Sequence, residues 1–349
     1  MRALISGVHF PVQITTCFGG KLEGKMKIAI LGAGAMGALV GAHLKKGGGE
    51  VYFIDVYEEH MRAIAENGLS MKLEGESGPQ TVFVDGAETN GDKIGVCDAV
   101  VVLVKCYDTE AAIMANQALF GKDTIALTLQ NGVGGADLLA KSFDSDHIGL
   151  GLLKSSANLI APGKIIGRTR FPDSPKGVYF SPASPDTPYR GTYDRLEKLL
   201  CDGGMPAACC ENIEELIWDK LSGNAKVNGV AALLQLAVED MMHNEDAIRL
   251  MNELGREVCE VARAKGLDMP FERYSEKRSD EPMLRGQMNL HYVSMVLDAY
   301  NKRRTEIDFI NGAIVKEGKK YGVPTPYNET VWRLVRVMQD TYGVRYDPV

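Results

Sequence analysis

The segment IWDKLSGNAKVNG, residues 217–229, carries one cation and two amides at a regular spacing. Lys220, Asn224 and Asn228 follow one another at intervals of four residues. In a helix, this spacing places the three side chains on one ridge about 12 Å long. That length matches a small metabolite, whose oxygens an amine and two amides could bind through donated hydrogen bonds. A solvated helix face is the alternative for such a row taken by itself.

A glycine-rich turn near the other end of the chain predicts a dinucleotide site. The apolar run KIAIL leads into Gly32-Ala33-Gly34-Ala35-Met36-Gly37, and a helix and a second apolar run, EVYFID, follow. In this context the three glycines permit the tight turn, the close approach of a pyrophosphate and the packing of helix on strand. The phosphates are expected at the helix N-terminus, where amide groups are available. A glycine turn without a ligand is the alternative.

Asp55 ends the second of these predicted strands, 23 residues after Gly32. A carboxylate at this place can accept hydrogen bonds from a ribose diol and would repel a 2′-phosphate. No Lys or Arg follows before Arg62. NAD(H) is therefore favoured over NADP(H), although a more distant cation could still bind the phosphate.

Two further strands predicted to be buried end in polar residues. CDAVVVLVK ends at Lys105, and TIALTLQ is followed by Asn131 and Gly132. Unbroken apolar runs indicate parallel strands covered on both faces, and ligands bind at the carboxyl ends of such strands. Lys105 and Asn131 are therefore candidates to contact nicotinamide, ribose or substrate. Ordinary turn chemistry is the alternative for each.

The order of the predicted elements indicates two domains of an α/β protein. Residues 26–210 alternate strands and helices, as in a Rossmann-type doubly wound sheet, and residues 147–185 predict an antiparallel extension of that sheet. Over residues 211–345 the strand signals stop, and long apolar helices predict an all-α helical bundle. The substrate is expected in the cleft between the domains. Residues 1–25 are expected to be a loose extension or a mis-assigned start.

Composition argues against several classes of function. The chain has 349 residues, of which 45% are hydrophobic, and a net charge of −7. An acidic chain lacks the basic footprint of a nucleic-acid-binding protein, and no apolar run of about 18 residues predicts a membrane span. Seven cysteines without CxxC spacing, and six histidines without a cluster, predict a reduced, cytoplasmic protein without a metal site.

Taken together, the separated motifs resemble the ketopantoate reductases (2-dehydropantoate 2-reductases). Between Met26 and about residue 342 they stand in the family's order: GAGAMG, VKCYDT, QNGVGG, WDKLSGNAKVN and SMVLDAYNKRRTEIDFING. The resemblance implies NAD(P)H-dependent reduction of 2-dehydropantoate to (R)-pantoate, a step towards pantothenate and coenzyme A. It also implies a helical domain that contributes to a homodimer.

The same resemblance implies roles for individual residues. Lys220 matches the family's general acid, which would meet the charge that forms on the carbonyl oxygen when hydride reaches a 2-oxo carbon. Lys105 matches a lysine near cofactor and substrate, and Asn131 could contact either. We take Lys220, Glu306 and Lys105 as candidate catalytic residues. The positions that match substrate-binding residues are Asn131, Asn224, Asn228, Ser294 and Glu306.

Three departures from the family's pattern leave the exact substrate and cofactor open. Asp55 stands where many members have a residue suited to NADP(H), Gly229 stands where proline is common, and segment 168–190 is unusually rich in proline. One alternative is the same chemistry on another small 2-oxo acid, or on a related carbonyl or imine. The other is a non-catalytic dinucleotide sensor, which would have no need of a proton donor such as Lys220.

Overall fold

The computed structural model describes residues 24–277 and 291–344. These residues form two compact units. The first, the sheet unit, comprises residues 24–130 and 135–213, and the second, the helical unit, comprises residues 131–134 and 214–344. The chain therefore joins the helical unit briefly at 131–134 before it enters that unit for its remaining length.

An eight-stranded sheet with one reversed pairing forms the centre of the sheet unit. The strands of this unit are β1 (Lys27–Leu31), β2 (Glu50–Ile54), β3 (Leu69–Leu73), β4 (Gln80–Val82), β5 (Gly86–Glu88), β6 (Ala99–Val102), β7 (Ile125–Thr128), β8 (Ile148–Leu153), β9 (Ser156–Ala161), β10 (Lys164–Arg168), β11 (Val178–Pro182) and β12 (Ala207–Cys209). Eight lie in the order β12-β11-β8-β7-β6-β1-β2-β5, and only β8 and β11 pair antiparallel. The chain leaves β1 in one direction for β2 and later returns to its other side with β6. This is the predicted doubly wound arrangement, and ligands bind where the strand order reverses.

Both faces of the central strands are buried, as the unbroken apolar runs predict. Ile28 and Ile30 of β1 pack into one apolar core, and Ala29 and Leu31 pack into another on the opposite face. Alternate residues of a strand point to opposite faces, so a strand covered on both sides must be apolar throughout. The helices of this unit are α1 (Ala35–Lys46), α2 (Glu58–Asn67), α3 (Thr109–Ala115), α4 (Gly135–Leu139) and α5 (Arg190–Asp202).

The other four strands form a second sheet, in the order β4-β3-β10-β9. Leu69 pairs with Val82 across antiparallel β3 and β4, which confirms the predicted hairpin. The expectation that all of residues 147–185 extend the main sheet is wrong in part. β8 and β11 join it, but β9 and β10 pair with the hairpin. A single apolar run contains both β8 and β9, which belong to different sheets. The sequence could not predict this, because hydrophobic periodicity does not identify the strand with which another strand pairs.

Helices make up most of the helical unit. They are α6 (Glu214–Leu234), α7 (Val238–Met242), α8 (Glu245–Lys265), α9 (Ser294–Tyr300), α10 (Asn311–Tyr321) and α11 (Pro326–Asp340). The run NIEELIWDKLSGNAKVNGVAALLQLAVEDMMH, predicted as one helix, is two, because Gln235 has a φ of 54° that no right-handed helix accommodates. The predicted helix at 284–301 lies partly outside the described residues, and its described helical part is α9. Within the described residues, no helix is long and apolar enough to cross a membrane.

Candidate active site

The row of Lys220, Asn224 and Asn228 lies along α6. Asn228 is buried, with 6% of its surface exposed, and Lys220 and Asn224 are half-buried. A face in open solvent would leave all three exposed. The row is therefore partly shielded from water, and hydrogen bonds of such groups are stronger than those made in open solvent.

Lys220 makes a direct hydrogen bond to another predicted site residue. Its ammonium group donates to Oδ1 of Asn131 at 2.7 Å. The two residues are 89 positions apart in sequence, yet both belong to the helical unit, because the excursion at 131–134 carries Asn131 there. The amide oxygen thus orients the ammonium group without changing its charge.

The turn after Asn131 packs against the segment that contains Glu306. The Val133 amide donates to the carbonyl oxygen of Phe309 at 2.9 Å. Gly132 has a φ of +89°, and a Cβ at this position would lie 2.1 Å from the same oxygen. Only glycine meets both demands. Glu306 itself is buried, with 7% of its surface exposed.

Gly229 brings the same segment close to α6. A Cβ at this position would lie 2.5 Å from Cγ1 of Val331 and 3.3 Å from Cδ1 of Ile307. Asn228 and Glu306 are the chain neighbours of Gly229 and Ile307, so they lie on elements in direct contact. The departure from proline at residue 229 thus has a physical reason in this chain, since α11 packs where a larger residue would stand.

Ser294 is the remaining predicted substrate contact. It is the first residue of α9, and its side chain is exposed. Helix α9 packs against α6. The helical unit therefore places Lys220, Asn131, Asn224, Asn228, Ser294 and Glu306 on elements that contact one another.

The glycine turn in the sheet unit has the geometry of a dinucleotide cradle. A Cβ at Gly32, whose φ is +97°, would lie 2.2 Å from the Val104 nitrogen, and a Cβ at Gly37 would lie 2.0 Å from the Gly32 oxygen. A Cβ at Gly34 would make only an ordinary contact, with Oδ2 of Asp55 at 3.9 Å, so the turn is not crowded there. Within the described residues, no side chain caps the N-terminus of α1 and its first turn has no acid. These features fit a pyrophosphate, whose charge the helix dipole favours.

Asp55 and Lys105 lie on opposite sides of β1. Asp55 follows β2, and its Oδ1 accepts a hydrogen bond from the Tyr57 amide at 3.0 Å, while Oδ2 faces Gly34. Lys105 follows Val104, the residue in contact with Gly32, and is half-buried. Both side chains therefore belong to the carboxyl edge of the sheet, where the strand order reverses.

Gln130 is a residue of this edge that sequence reasoning missed. Its Nε2 donates to the Val104 carbonyl at 2.6 Å and to Oγ1 of Thr109 at 2.9 Å. Its Oε1 accepts from Oγ1 of Thr128 at 2.9 Å. The side chain, 8% exposed, ties the ends of β6 and β7 beside Lys105. An amide at the end of an apolar strand was the available signal.

Lys226 is a second residue without a predicted role. It is buried, and its ammonium group donates to the Tyr274 carbonyl at 2.8 Å and pairs with Glu276 at 2.5 Å. Its position two residues after Asn224 turns it away from the Lys220 row. Lys226 therefore anchors the chain near residue 276. Within the described residues, no cluster of His, Cys, Asp or Glu could hold a metal ion.

Two family models match this chain. Residues 28–175 match the family described as Ketopantoate reductase PanE/ApbA, and residues 212–339 match Ketopantoate reductase PanE/ApbA C terminal. The chain belongs to the ketopantoate reductase family. The predicted resemblance is thereby confirmed, and with it the class of an NAD(P)-dependent oxidoreductase that acts on a CH–OH group.

Individual relatives agree with this assignment. The 2-dehydropantoate 2-reductase of Lactococcus lactis subsp. lactis is 30% identical over 90% of this chain and 98% of its own. That of Streptococcus pyogenes serotype M1 is 27% identical over 92% of this chain and 100% of its own. Among solved structures, a D-mandelate dehydrogenase in ternary complex with NADH and anilino(oxo)acetate is 31% identical, with a TM-score of 0.77 over 92% of this chain and 100% of that one. A PanE/ApbA family ketopantoate reductase from Ralstonia eutropha JMP134 is 28% identical, with a TM-score of 0.75 over 90% and 99%.

Proposed function

We propose that this protein reduces 2-dehydropantoate to (R)-pantoate with NAD(P)H, with Lys220 as general acid. The observation that carries the proposal is the 2.7 Å hydrogen bond from the Lys220 ammonium group to Asn131. It gives a ketopantoate reductase family member an oriented proton donor on a row of amides. The names of its relatives support the substrate.

The chemistry follows from the position of the charge. A nicotinamide held by the sheet unit would supply a hydride, and the 2-oxo carbon of the substrate would accept it. As the carbonyl oxygen gains charge, the Lys220 ammonium group stabilises it and donates the proton that completes the hydroxyl. Asn131 holds that ammonium group in place by accepting one of its hydrogen bonds. Partial burial of the row strengthens the interaction, because the local dielectric is lower than in water.

The other predicted residues bind the rest of the substrate. Asn224 and Asn228 are neutral and can donate to its oxygens without disturbing the charge on Lys220. Ser294 adds a donor for the substrate carboxylate. Glu306 is an acceptor when ionised, which suits a substrate hydroxyl.

The sheet unit would hold the dinucleotide. Asp55 accepts from the ribose diol and favours NAD(H), and Lys105 and Asn131 are proposed to lie near the nicotinamide or its ribose. The residues of the glycine turn that would hold the pyrophosphate are Gly32, Ala33, Gly34, Ala35, Met36 and Gly37.

A specific observation favours a second candidate, the reduction of another small 2-oxo acid. The D-mandelate dehydrogenase structure, solved with NADH, is as similar to this chain as the 2-dehydropantoate 2-reductases are. A non-catalytic dinucleotide sensor has less support, because the oriented Lys220 would serve no purpose in it.

We also propose the domain division, the homodimer and the cytoplasmic location that the sequence predicts. Residues 26–210 would form the dinucleotide-binding domain, and residues 211–345 the substrate domain and the contact of a homodimer, which a sedimentation mass would test. No disulfide joins the cysteines of the described residues. A reduced, cytoplasmic location stays a prediction from the cysteine pattern of the sequence.

The test measures the initial rate at which the absorbance of the reduced nicotinamide falls. Each of two substrates, 2-dehydropantoate and benzoylformate, is assayed with NADH and with NADPH. We expect Lys220→Ala to keep its dinucleotide Kd while kcat falls by about 10²–10⁴-fold, the usual contribution of a general acid. The matched control is Lys316→Ala, which removes an exposed lysine of α10 in the same unit. Turnover of benzoylformate alone would favour the second candidate, and unchanged kcat in Lys220→Ala would refute the role of Lys220.

A further inference from the structure

His60 is an ionisable side chain with no exposed surface in the sheet unit. It lies on α2, and neither the proposed chemistry nor the glycine fingerprint uses it. Its Nε2 is 3.0 Å from the carbonyl oxygen of Ala33, and its Nδ1 accepts a hydrogen bond from the Gly163 amide at 2.8 Å. Both ring nitrogens therefore contact backbone groups.

These two contacts fix the tautomer of the ring. A backbone N–H can only donate, so the Gly163 amide requires Nδ1 to be the unprotonated acceptor. The single proton of a neutral imidazole then resides on Nε2 and is donated to Ala33. Burial lowers the pKa of His60 below its ordinary 6.5, more than the Ala33 carbonyl and the Asp55 carboxylate raise it. The neutral ring thus serves as a donor on one side and an acceptor on the other.

The two partners of His60 belong to different parts of the sheet unit. Ala33 is the middle residue of the turn between β1 and α1. Gly163 lies in the turn between β9 and β10, and its own carbonyl accepts from the Ser70 amide of β3 at 2.9 Å. Through one side chain, the glycine turn is tied to the second sheet.

The Ala33 carbonyl also determines where a neighbouring donor points. The Ala33 oxygen and the Gly34 N–H belong to one planar peptide unit and point in opposite directions. A hydrogen bond that holds the oxygen towards His60 therefore directs the Gly34 N–H away from His60. A Cβ at Gly34 would lie 3.9 Å from Oδ2 of Asp55 and no nearer to any other described atom, which leaves the room that the close approach of a pyrophosphate requires.

We propose that His60 is a positioning residue for the dinucleotide, which holds the Ala33–Gly34 peptide so that the Gly34 amide is directed at the pyrophosphate. The inference rests on the dinucleotide binding in the proposed function and adds a residue outside the glycine fingerprint. His60 has no exposed surface with which to reach a cofactor, so we expect its effect to be on affinity for dinucleotide rather than on the chemical step.

The experiment compares His60→Leu with His60→Gln by fluorescence titration of NADH and NADPH and by steady-state kinetics. Leu removes both hydrogen bonds, and Gln retains one donor and one acceptor. We expect His60→Leu to raise the dinucleotide Kd by about tenfold, the effect of one or two hydrogen bonds. We expect kcat at saturating cofactor, and the KM for the oxo acid, to change less than about twofold, and His60→Gln to recover most of the affinity.

Met61→Leu is the matched control, because Met61 is the buried neighbour of His60 and the swap is between apolar residues of similar volume. It should leave the Kd unchanged. A wild-type Kd in His60→Leu overturns the inference, as does an equal loss of affinity, kcat and oxo-acid KM, which would indicate general damage. If the wild-type protein binds neither dinucleotide, the proposed function fails as well, so the two failures are distinguishable.

Discussion

Single side chains at the candidate site are oriented by backbone or amide groups that lie far away in sequence. Lys220 and Asn131 stand out among apolar residues, so each could be predicted as a site residue. Their hydrogen bond could not be predicted, because 89 positions separate them and spacing within a helix reveals nothing about a distant turn. His60 gave no signal, since a lone histidine on an amphipathic helix is ordinary in a sequence. Its role depends on two backbone groups, and residue types do not identify these.

Asp55 allows a prediction about cofactor choice. We expect Asp55→Ala to lower kcat/KM for NADH by about 10–100-fold, because a hydrogen bond to a charged group is lost. Use of NADPH should rise relative to NADH, since the repulsion of a 2′-phosphate disappears. Asp55→Asn separates the two effects. It removes the charge that repels a 2′-phosphate but keeps a side-chain oxygen, which can still accept a hydrogen bond from the Tyr57 amide. The measurement is the ratio of kcat/KM with the two cofactors, and an unaltered ratio in both variants would exclude a role of Asp55 in cofactor choice.

Among the elements, α6 is central, because it carries the Lys220 row and packs against α8, α9 and α11. Its existence could be predicted from a long apolar run. Its end at Leu234 could not, since Gln235 adopts a φ of 54° and is not glycine. The partners of β9 and β10 were equally hidden, because alternation of residues specifies a buried face and not a neighbouring strand.

Two glycines of α6 lead to opposite expectations for stability. Gly229→Ala places a Cβ 2.5 Å from Val331, and we expect a loss of about 1–3 kcal/mol in the free energy of unfolding from overpacking. Gly223 is exposed, and no atom lies within 4 Å of a Cβ built there. Gly223→Ala should therefore raise the free energy of unfolding by about 0.5–1 kcal/mol, because alanine has the higher helix propensity. Urea unfolding measures both. Equal stability of the two variants would contradict the packing argument.

At the scale of the whole molecule, the two units contain buried ionisable groups whose contributions to stability depend on pH in opposite directions. In the sheet unit, burial lowers the pKa of His43 and of His60 below 6.5. In the helical unit, burial raises the pKa of Glu257 above 4.5, although the Asn328 and Tyr327 amides donate to it. A histidine whose pKa is lowered on folding contributes stability that is fully present above pH 6.5. That stability is lost as the pH falls through the pKa of the histidine in the folded state. A raised carboxyl pKa stabilises the folded state at low pH, and this is lost as the pH rises.

Acidification should therefore weaken the sheet unit selectively. Between pH 7.5 and 5.5, each histidine should lower the free energy of unfolding by up to about 1.4 kcal/mol per pH unit below 6.5. Hydrogen exchange measured by mass spectrometry should show the loss of protection in residues 24–130 and 135–213. In His43→Asn the amide can still donate to the Gly203 carbonyl but does not titrate, so the pH slope should be shallower. A slope equal to the wild type would exclude His43 as a source.

Because residues 131–134 belong to the helical unit, the two units cannot be separated by a single cut in the chain. A gene fragment for 214–344 would encode every helix from α6 to α11, yet Lys220 would lack its amide acceptor and the Phe309 carbonyl would lack the Val133 amide. A fragment that stops at 213 would keep residues 131–134 but lose their partners Lys220 and Phe309. A chimera that exchanges the helical unit between family members must therefore exchange residues 131–134 together with the segment that begins at residue 214.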